Sequence, residues 1–127
     1  MVWWAQHRTG LRTGRGMHAF TYTRPTSIQE AVHFLDENGG RSLMLAGGTD
    51  LLPQLRSGRR EIDCLLDAKA IPEANELSFD HAQGLRIGAA VPCNLVYGYA
   101  DVERYYPGVA DAAQLIGGTQ IQGRATL

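Results

Sequence analysis

The stretch Leu45-Ala46-Gly47-Gly48-Thr49-Asp50-Leu51 decides how this sequence is interpreted. It overlaps a short apolar run, 42–46, which is bounded by glycines and predicts a buried strand. Consecutive glycines after a strand leave backbone N–H groups unshielded by Cβ atoms, and such a concavity binds anions, especially phosphate oxygens. Thr49 can add a hydroxyl donor. Because the Asp50 carboxylate would repel phosphate, we expect it to cap the following turn or to contact a ribose hydroxyl.

The alternative interpretation of this loop is a tight turn between a strand and a short helix, because short glycine motifs often match by chance. Two better-known nucleotide motifs are absent. No Gly-Lys-Ser/Thr sequence follows the glycines, and they do not form the Gly-x-Gly-x-x-Gly fingerprint of nicotinamide-binding domains.

The segments around the loop predict a small α/β lobe over residues 17–70. Ser27 followed by Glu30 fits a capping box, and Gly39 supplies a stop, so we predict a helix over 27–38. The apolar stripe of this helix is Ile28, Ala31, Val32 and Leu35. A second apolar run, 64–67, predicts a strand that pairs in parallel with the first.

Residues 71–127 predict a hairpin followed by helices. The runs 77–80 and 84–91 predict a hairpin. Asn94 is expected to cap one helix, and Pro107 to open another that Gly117 stops. Cys93 precedes a predicted helix, which could lower its thiol pKa, but a cysteine in such a place is more often simply packed.

Composition excludes several classes of protein. The chain has 127 residues, 44% of them hydrophobic and 20% charged, which is typical of one globular domain. Its net charge of −1 offers no positive field for nucleic acid. No apolar stretch is long enough for a membrane span. The four histidines and two cysteines are scattered, so we expect no metal site.

Residues 1–16 carry three arginines and no acid, which indicates a non-structural leader or a mis-assigned start before Met17. A transit peptide is the alternative. No secretory pattern is present, which favours a cytoplasmic location. The other end, Arg124-Ala-Thr-Leu127, has no polar tail or cap, so we expect a fragment cut inside a structural element.

Four ordered blocks between residues 17 and 127 resemble the FAD-binding (medium) subunit of molybdenum hydroxylases, the xanthine dehydrogenase and carbon monoxide dehydrogenase type. The blocks are 17–31, 46–53, 85–91 and 116–127. In that family the last block continues into a Gly-Gly-Asn turn, and Gly123 stands where many relatives carry asparagine. The resemblance implies a truncated FAD-binding domain of the PCMH type. This is an α+β fold in which a small parallel α/β lobe, residues 17–70, is followed by a second, mostly antiparallel α+β lobe, residues 71–127, which is incomplete here.

The resemblance also implies what such a domain does. FAD would pass electrons from [2Fe–2S] centres to an external acceptor, beside a molybdenum-cofactor large subunit and a [2Fe–2S] small subunit. No residue of this chain would be catalytic. The cofactor contacts that the resemblance implies are Leu45, Ala46, Gly47, Gly48, Thr49, Asp50 and Leu51 in the first loop, and Ile116, Gly117 and Thr126 from the second lobe.

Two further hypotheses accompany this one. The chain could be a non-redox α/β module that binds a nucleotide or phosphate through the same loop. As a fragment, it is expected to be inactive by itself and to bind FAD weakly or not at all, because ligand contacts from one side are missing.

Overall fold

The structure is a computed structural model that describes residues 17–127. The predictions for residues 1–16 lie outside the described residues. The fold contains both helices and sheets, as expected, and its described strands form two separate sheets.

A parallel sheet of three strands occupies the first half of the described chain. Its strands are β1 (Thr21–Thr23), β2 (Ser42–Leu45) and β3 (Cys64–Asp67), in the order β1-β3-β2. Both pairs are parallel, with Leu43 and Tyr22 each opposite Leu65. All four residues of β3 are buried, because this strand has neighbours on both sides. The predicted parallel pairing is confirmed, whereas the sequence indicated only an extended segment at β1.

Helix α1 (Ile28–Asn38) lies where the sequence predicted it. The Glu30 N–H donates to Ser27 Oγ at 3.2 Å, which is the expected N-terminal cap. The return bond differs by one residue from a standard capping box, since Glu30 Oε2 accepts from the Thr26 N–H at 2.7 Å. Gly39 ends the helix with a φ of +31°, a conformation that favours glycine.

The predicted apolar stripe of α1 is wrong at two positions. Ile28 and Val32 are 44% and 51% exposed. Ala31 is buried and packs in a cluster with Leu66, joined by the partly buried Phe34 and Leu35. The buried side of the helix therefore keeps Ala31 and Leu35 of the predicted stripe and has Phe34 in place of Ile28 and Val32.

Helix α2 (Leu51–Arg56) covers the other face of the sheet. A second cluster of buried side chains lies there, with Phe20, Leu43 and Leu51 partly buried around it. Its buried members are Leu45, Leu55, Ile62 and Leu65. The glycine loop thus leaves an edge strand and enters a helix whose side chains pack back onto that strand. The sequence predicted a buried strand here, but only Leu45 of β2 is buried and Met44 is 52% exposed, because an edge strand has a neighbour on one side only.

The second half of the described chain contains a hairpin and four helices. Strands β4 (Leu77–Asp80) and β5 (Gly84–Ile87) pair antiparallel, so the predicted hairpin is confirmed with a shorter second strand. The helices are α3 (Cys93–Tyr97), α4 (Ala100–Tyr105), α5 (Pro107–Gln114) and α6 (Thr119–Gln122).

Three of these helices differ from the prediction. Helix α3 has Pro92 as its capping residue, so Asn94 lies inside the helix and does not cap it. Helices α4 and α6 were not predicted, because six and four residues give too short an apolar period. One core lies in this half of the described chain, and its buried residues are Val91, Cys93, Val96, Val102, Ala110, Ala113 and Ala125.

Cys93 is fully buried in this core. Burial raises the pKa of its thiol, so the packed cysteine is the correct interpretation and the lowered pKa is not. Over residues 17–127, no helix has the length and apolar character that crossing a membrane requires. In the same range, no three His, Cys, Asp or Glu side chains converge as metal ligands would.

Candidate functional site

The glycine loop, residues 46–50, begins where β2 ends. In a parallel sheet the carboxyl ends of the strands lie at one edge, and ligands bind outside that edge in open α/β sheets. Strand β3 ends at Asp67, opposite Leu45 in the register of the sheet. The loop therefore lies at the edge where a ligand of this fold class is expected.

The loop presents a run of backbone donors. Among the described residues, the N–H groups of Gly47, Gly48, Thr49 and Asp50 donate no hydrogen bond to a protein acceptor. The residues from Ala46 to Thr49 are half-buried. Partly buried backbone donors without a partner are uncommon, since they are nearly always paired with protein, water or ligand. Four consecutive donors, three in half-buried residues and the fourth in the exposed Asp50, suit an anion with several oxygens.

Gly48 adopts a conformation that an L side chain rarely takes. Its φ is +78°, and a Cβ at this position would lie 2.7 Å from Leu45 Cδ1. Leu52 Cδ1 would lie 3.3 Å from the same atom. The left-handed conformation and the packed leucine side chains together explain why glycine occupies this position.

Gly47 lies against the end of the described chain. A Cβ at Gly47 would overlap the Arg124 carbonyl oxygen and would lie 3.0 Å from the Thr126 amide nitrogen. Thr126 also forms an antiparallel bridge with Pro92, and Ala125 accepts a hydrogen bond of 2.8 Å from the Cys93 N–H. The structure thus brings Thr126 next to the glycine loop, which sequence separation alone did not require.

A chain of polar contacts lies beside the loop, at the carboxyl end of β3. Asp67 is only 5% exposed. One of its oxygens, Oδ2, accepts from the Tyr22 hydroxyl at 2.6 Å. The other, Oδ1, accepts from the Lys69 N–H and contacts Lys69 Nζ, both at 2.9 Å. Lys69 Nζ also donates to the Ala46 carbonyl oxygen at 3.2 Å, which connects this network to the loop.

The network shifts the pKa of two of its members. Burial acts to raise the pKa of Asp67, but the hydrogen bonds from Tyr22 and Lys69 and the Lys69 charge outweigh it and leave this pKa below its usual value. The hydrogen bond to Asp67 raises the pKa of the Tyr22 phenol. Asp67 is therefore ionised at neutral pH and forms an ion pair with Lys69.

The remaining predicted loop residues have structural partners. Asp50 is exposed, and its Oδ2 accepts from Gln54 Nε2, one turn along α2, at 2.5 Å. Its carboxylate is thereby held by the helix, although it bonds a side chain and not the backbone that a cap would bond. Leu45 and Leu51 belong to the core between the sheet and α2, so they support the loop from below.

Ile116 and Gly117 have local packing partners in the second half of the described chain. Ile116 is partly buried against the core of the second half of the chain. Gly117 has a φ of +56° and lies against the Ile121 side chain, in the turn between α5 and α6. Both positions fit the helix-stop interpretation, and a cofactor contact at either residue stays a prediction.

Four residues around the loop were not identified as site residues from the sequence. Lys69 and Arg124 contact the loop, and Asp67 and Tyr22 are connected to it through Lys69. Tyr22 and Arg124 are far from the loop in sequence, and no local pattern marks them. Lys69 could have been identified from the sequence, because it is the only lysine of the chain and follows the predicted strand 64–67 by two residues.

Comparison with known proteins assigns the chain that has this geometry to a family. Residues 18–127 match the sequence profile of the family described as "FAD binding domain in molybdopterin dehydrogenase". The carbon monoxide dehydrogenase medium chain of Hydrogenophaga pseudoflava is 32% identical over 108 residues, and the xanthine dehydrogenase FAD-binding subunit of Escherichia coli O157:H7 is 29% identical over 106 residues. These matches cover 85% and 84% of this chain, and 37% and 36% of the relatives.

Solved structures agree with the sequence matches. The structure of carbon monoxide dehydrogenase from Hydrogenophaga pseudoflava that lacks the Mo-pyranopterin moiety matches with a TM-score of 0.80 and 33% identity. That match covers 84% of this chain and 37% of the matched chain. The chain thus spans a little more than a third of the length of the relatives it matches, and it belongs to the family of FAD-binding domains in molybdopterin dehydrogenases.

Proposed function

We propose that this chain is part of the FAD-binding subunit of a molybdenum hydroxylase-type oxidoreductase, in which electrons pass from iron–sulfur centres through FAD to an external acceptor. The observation that carries the proposal is the run of four unpaired backbone donors in the glycine loop, at the carboxyl edge of a parallel sheet. A diphosphate has the oxygens and the negative charge that such donors bind. The family match supplies the identity of the ligand.

Different residues of the loop would make different contacts with FAD. The N–H groups of residues 47–50 would donate to the diphosphate, and the Thr49 hydroxyl would add one more donor. Ala46, Leu45 and Leu51 would support the loop and flank the cofactor. Ile116, Gly117 and Thr126 would approach FAD from the second lobe, residues 71–127, across from the first lobe, residues 17–70. The flavin would supply the redox chemistry, while the chain contributes position and electrostatics.

The partners of the subunit follow from what the relatives are called. One relative is the medium chain of carbon monoxide dehydrogenase, and another is the FAD-binding subunit of xanthine dehydrogenase. We infer that this protein also assembles with a large subunit that carries a molybdenum cofactor and with a small subunit that carries [2Fe–2S] centres.

The loop by itself would contact only the diphosphate, a part of FAD that other nucleotides share. ADP and NAD carry the same diphosphate, so a non-redox module that binds either of them is the second candidate function. The two candidates differ in which ligand the protein prefers, and this difference can be measured by displacement.

The test is FAD retention by the protein at its full natural length, read from its visible flavin absorbance. We expect Gly48→Asp to abolish retention, because the carboxylate and the strained backbone would disrupt the donors. Gly58→Asp is the matched control, since Gly58 has a similar φ of +70° but open space around it, at the far end of α2. It should retain FAD. Equal retention by both variants, or stronger binding of ADP or NAD than of FAD, would contradict the proposal.

A further inference from the structure

Lys69 lies beside the glycine loop and contacts its first residue, Ala46. It is the only lysine in the sequence, and its Nζ lies between Asp67 Oδ1 at 2.9 Å and the Ala46 carbonyl oxygen at 3.2 Å. Its side chain is 30% exposed, so the ammonium lies largely within the fold. The contact with Ala46 joins a buried ion pair to the first peptide of the loop.

This contact determines how that peptide is oriented. The described residues contain no cis peptide bond, and in a trans peptide the C=O and the following N–H point in opposite directions. When Lys69 holds the Ala46 oxygen, the Gly47 N–H must therefore point in the opposite direction within the peptide plane, away from Lys69 Nζ. The Gly47 N–H then points away from the Asp67 carboxylate. A diphosphate that accepts from this N–H is thereby kept away from a negative charge that would repel it.

We propose that Lys69 is a positioning residue for FAD, which acts through the Ala46 carbonyl to orient the first donor of the loop. The inference rests on the proposed function of the loop. Lys69 does not need to touch the cofactor for this role. Its ammonium is held by Asp67, and Asp67 is held in turn by the Tyr22 hydroxyl at 2.6 Å.

The arrangement lowers the cost of binding. A free lysine side chain loses rotamer freedom when it is immobilised, and a misdirected peptide must rotate before it can donate. Here the ion pair orders both groups before the ligand arrives. Preorganisation of this kind strengthens binding without adding a contact.

The test compares three ligands on the full-length protein: FAD, ADP and riboflavin, of which only riboflavin lacks the diphosphate. We expect Lys69→Met to weaken FAD and ADP about tenfold, the size of effect that one misdirected hydrogen bond to a charged group produces. Riboflavin affinity should stay within about twofold. Arg59→Met is the control for charge, because it removes one exposed cation outside the network and should leave all three affinities unchanged.

Each outcome has one meaning. If the unaltered protein binds FAD no better than riboflavin, the proposed function of the loop fails, and this inference fails with it. If the unaltered protein prefers FAD and Lys69→Met retains that preference, only the role of Lys69 is overturned. An equal loss of all three ligands would also overturn it, since that is the result of general damage to the fold.

A second measurement needs no variant. We expect bound FAD to protect Lys69 from reductive methylation, followed by peptide mass mapping, because the cofactor would fix the loop that Lys69 holds. A rate of methylation that FAD leaves unchanged would overturn the role of Lys69, even if Lys69→Met failed to fold.

Discussion

Gly47 packs directly on the carbonyl group of Arg124, although 76 residues lie between the two along the chain. Their contact leaves no room for a side chain at position 47. It also joins the loop that follows β2 to the segment that follows α6. The two halves of the described chain thus meet at the candidate cofactor site.

Gly47→Ala is expected to destabilise the protein by about 1–3 kcal/mol, the usual cost of forcing extra atoms into a packed site. The obstructing atoms belong to the backbone of residues 124–126, so no flexible side chain can yield. Gly40→Ala is the matched control, since a Cβ there meets nothing within 4 Å. Urea unfolding of both variants measures the difference, and equal stabilities would show that the contact is not tight.

Asp67 should make stability depend on acid pH. Its pKa is lower in the folded protein than in the unfolded chain, so its contribution is complete above the unfolded value and is lost as the pH falls through the folded one. We expect the free energy of unfolding to decline as the pH falls below about 4. Asp67→Asn should flatten this decline in urea titrations at stepped pH. An identical slope in the variant would argue against the Tyr22–Asp67–Lys69 network.

Ser27→Ala should remove the N-terminal cap of α1. The Ser27 hydroxyl accepts from the Glu30 N–H, and losing such a cap costs about 1 kcal/mol. Gln29→Ala, at an exposed position of the same helix, serves as the control and should change stability little. Chemical denaturation distinguishes the two, and a Ser27→Ala variant as stable as the control would contradict the cap.

The two cysteines should be inert to alkylation in the folded protein. Cys64 and Cys93 are both free and buried, and burial raises the pKa of the Cys93 thiol, so the reactive thiolate is scarce. Iodoacetamide near neutral pH should modify neither until denaturant is added, as mass spectrometry would show. Rapid modification of Cys93 in the native state would instead support the lowered pKa that its place before a helix suggested.

Local patterns in the sequence determined most elements of the fold. The cap at Ser27, the stop at Gly39 and the apolar runs of β2 and β3 each act through neighbouring residues, so they can be identified without knowing the fold. The glycine loop belongs to the same class, because its lack of Cβ atoms is a property of the sequence itself. The sequence did not predict short helices such as α4, whose six residues are too few to show an apolar periodicity.

Only the tertiary structure decided what surrounds the loop. Tyr22, Asp67 and Lys69 converge at the sheet edge, because a parallel sheet aligns the carboxyl ends of strands that are distant along the chain. The backbone of Arg124 reaches Gly47 in a segment that is paired with Pro92 and Cys93. Such contacts depend on strand order and register, which no single segment encodes. The sequence by itself therefore predicts the backbone N–H donors of the site, whereas the contacts that orient these donors arise from tertiary packing.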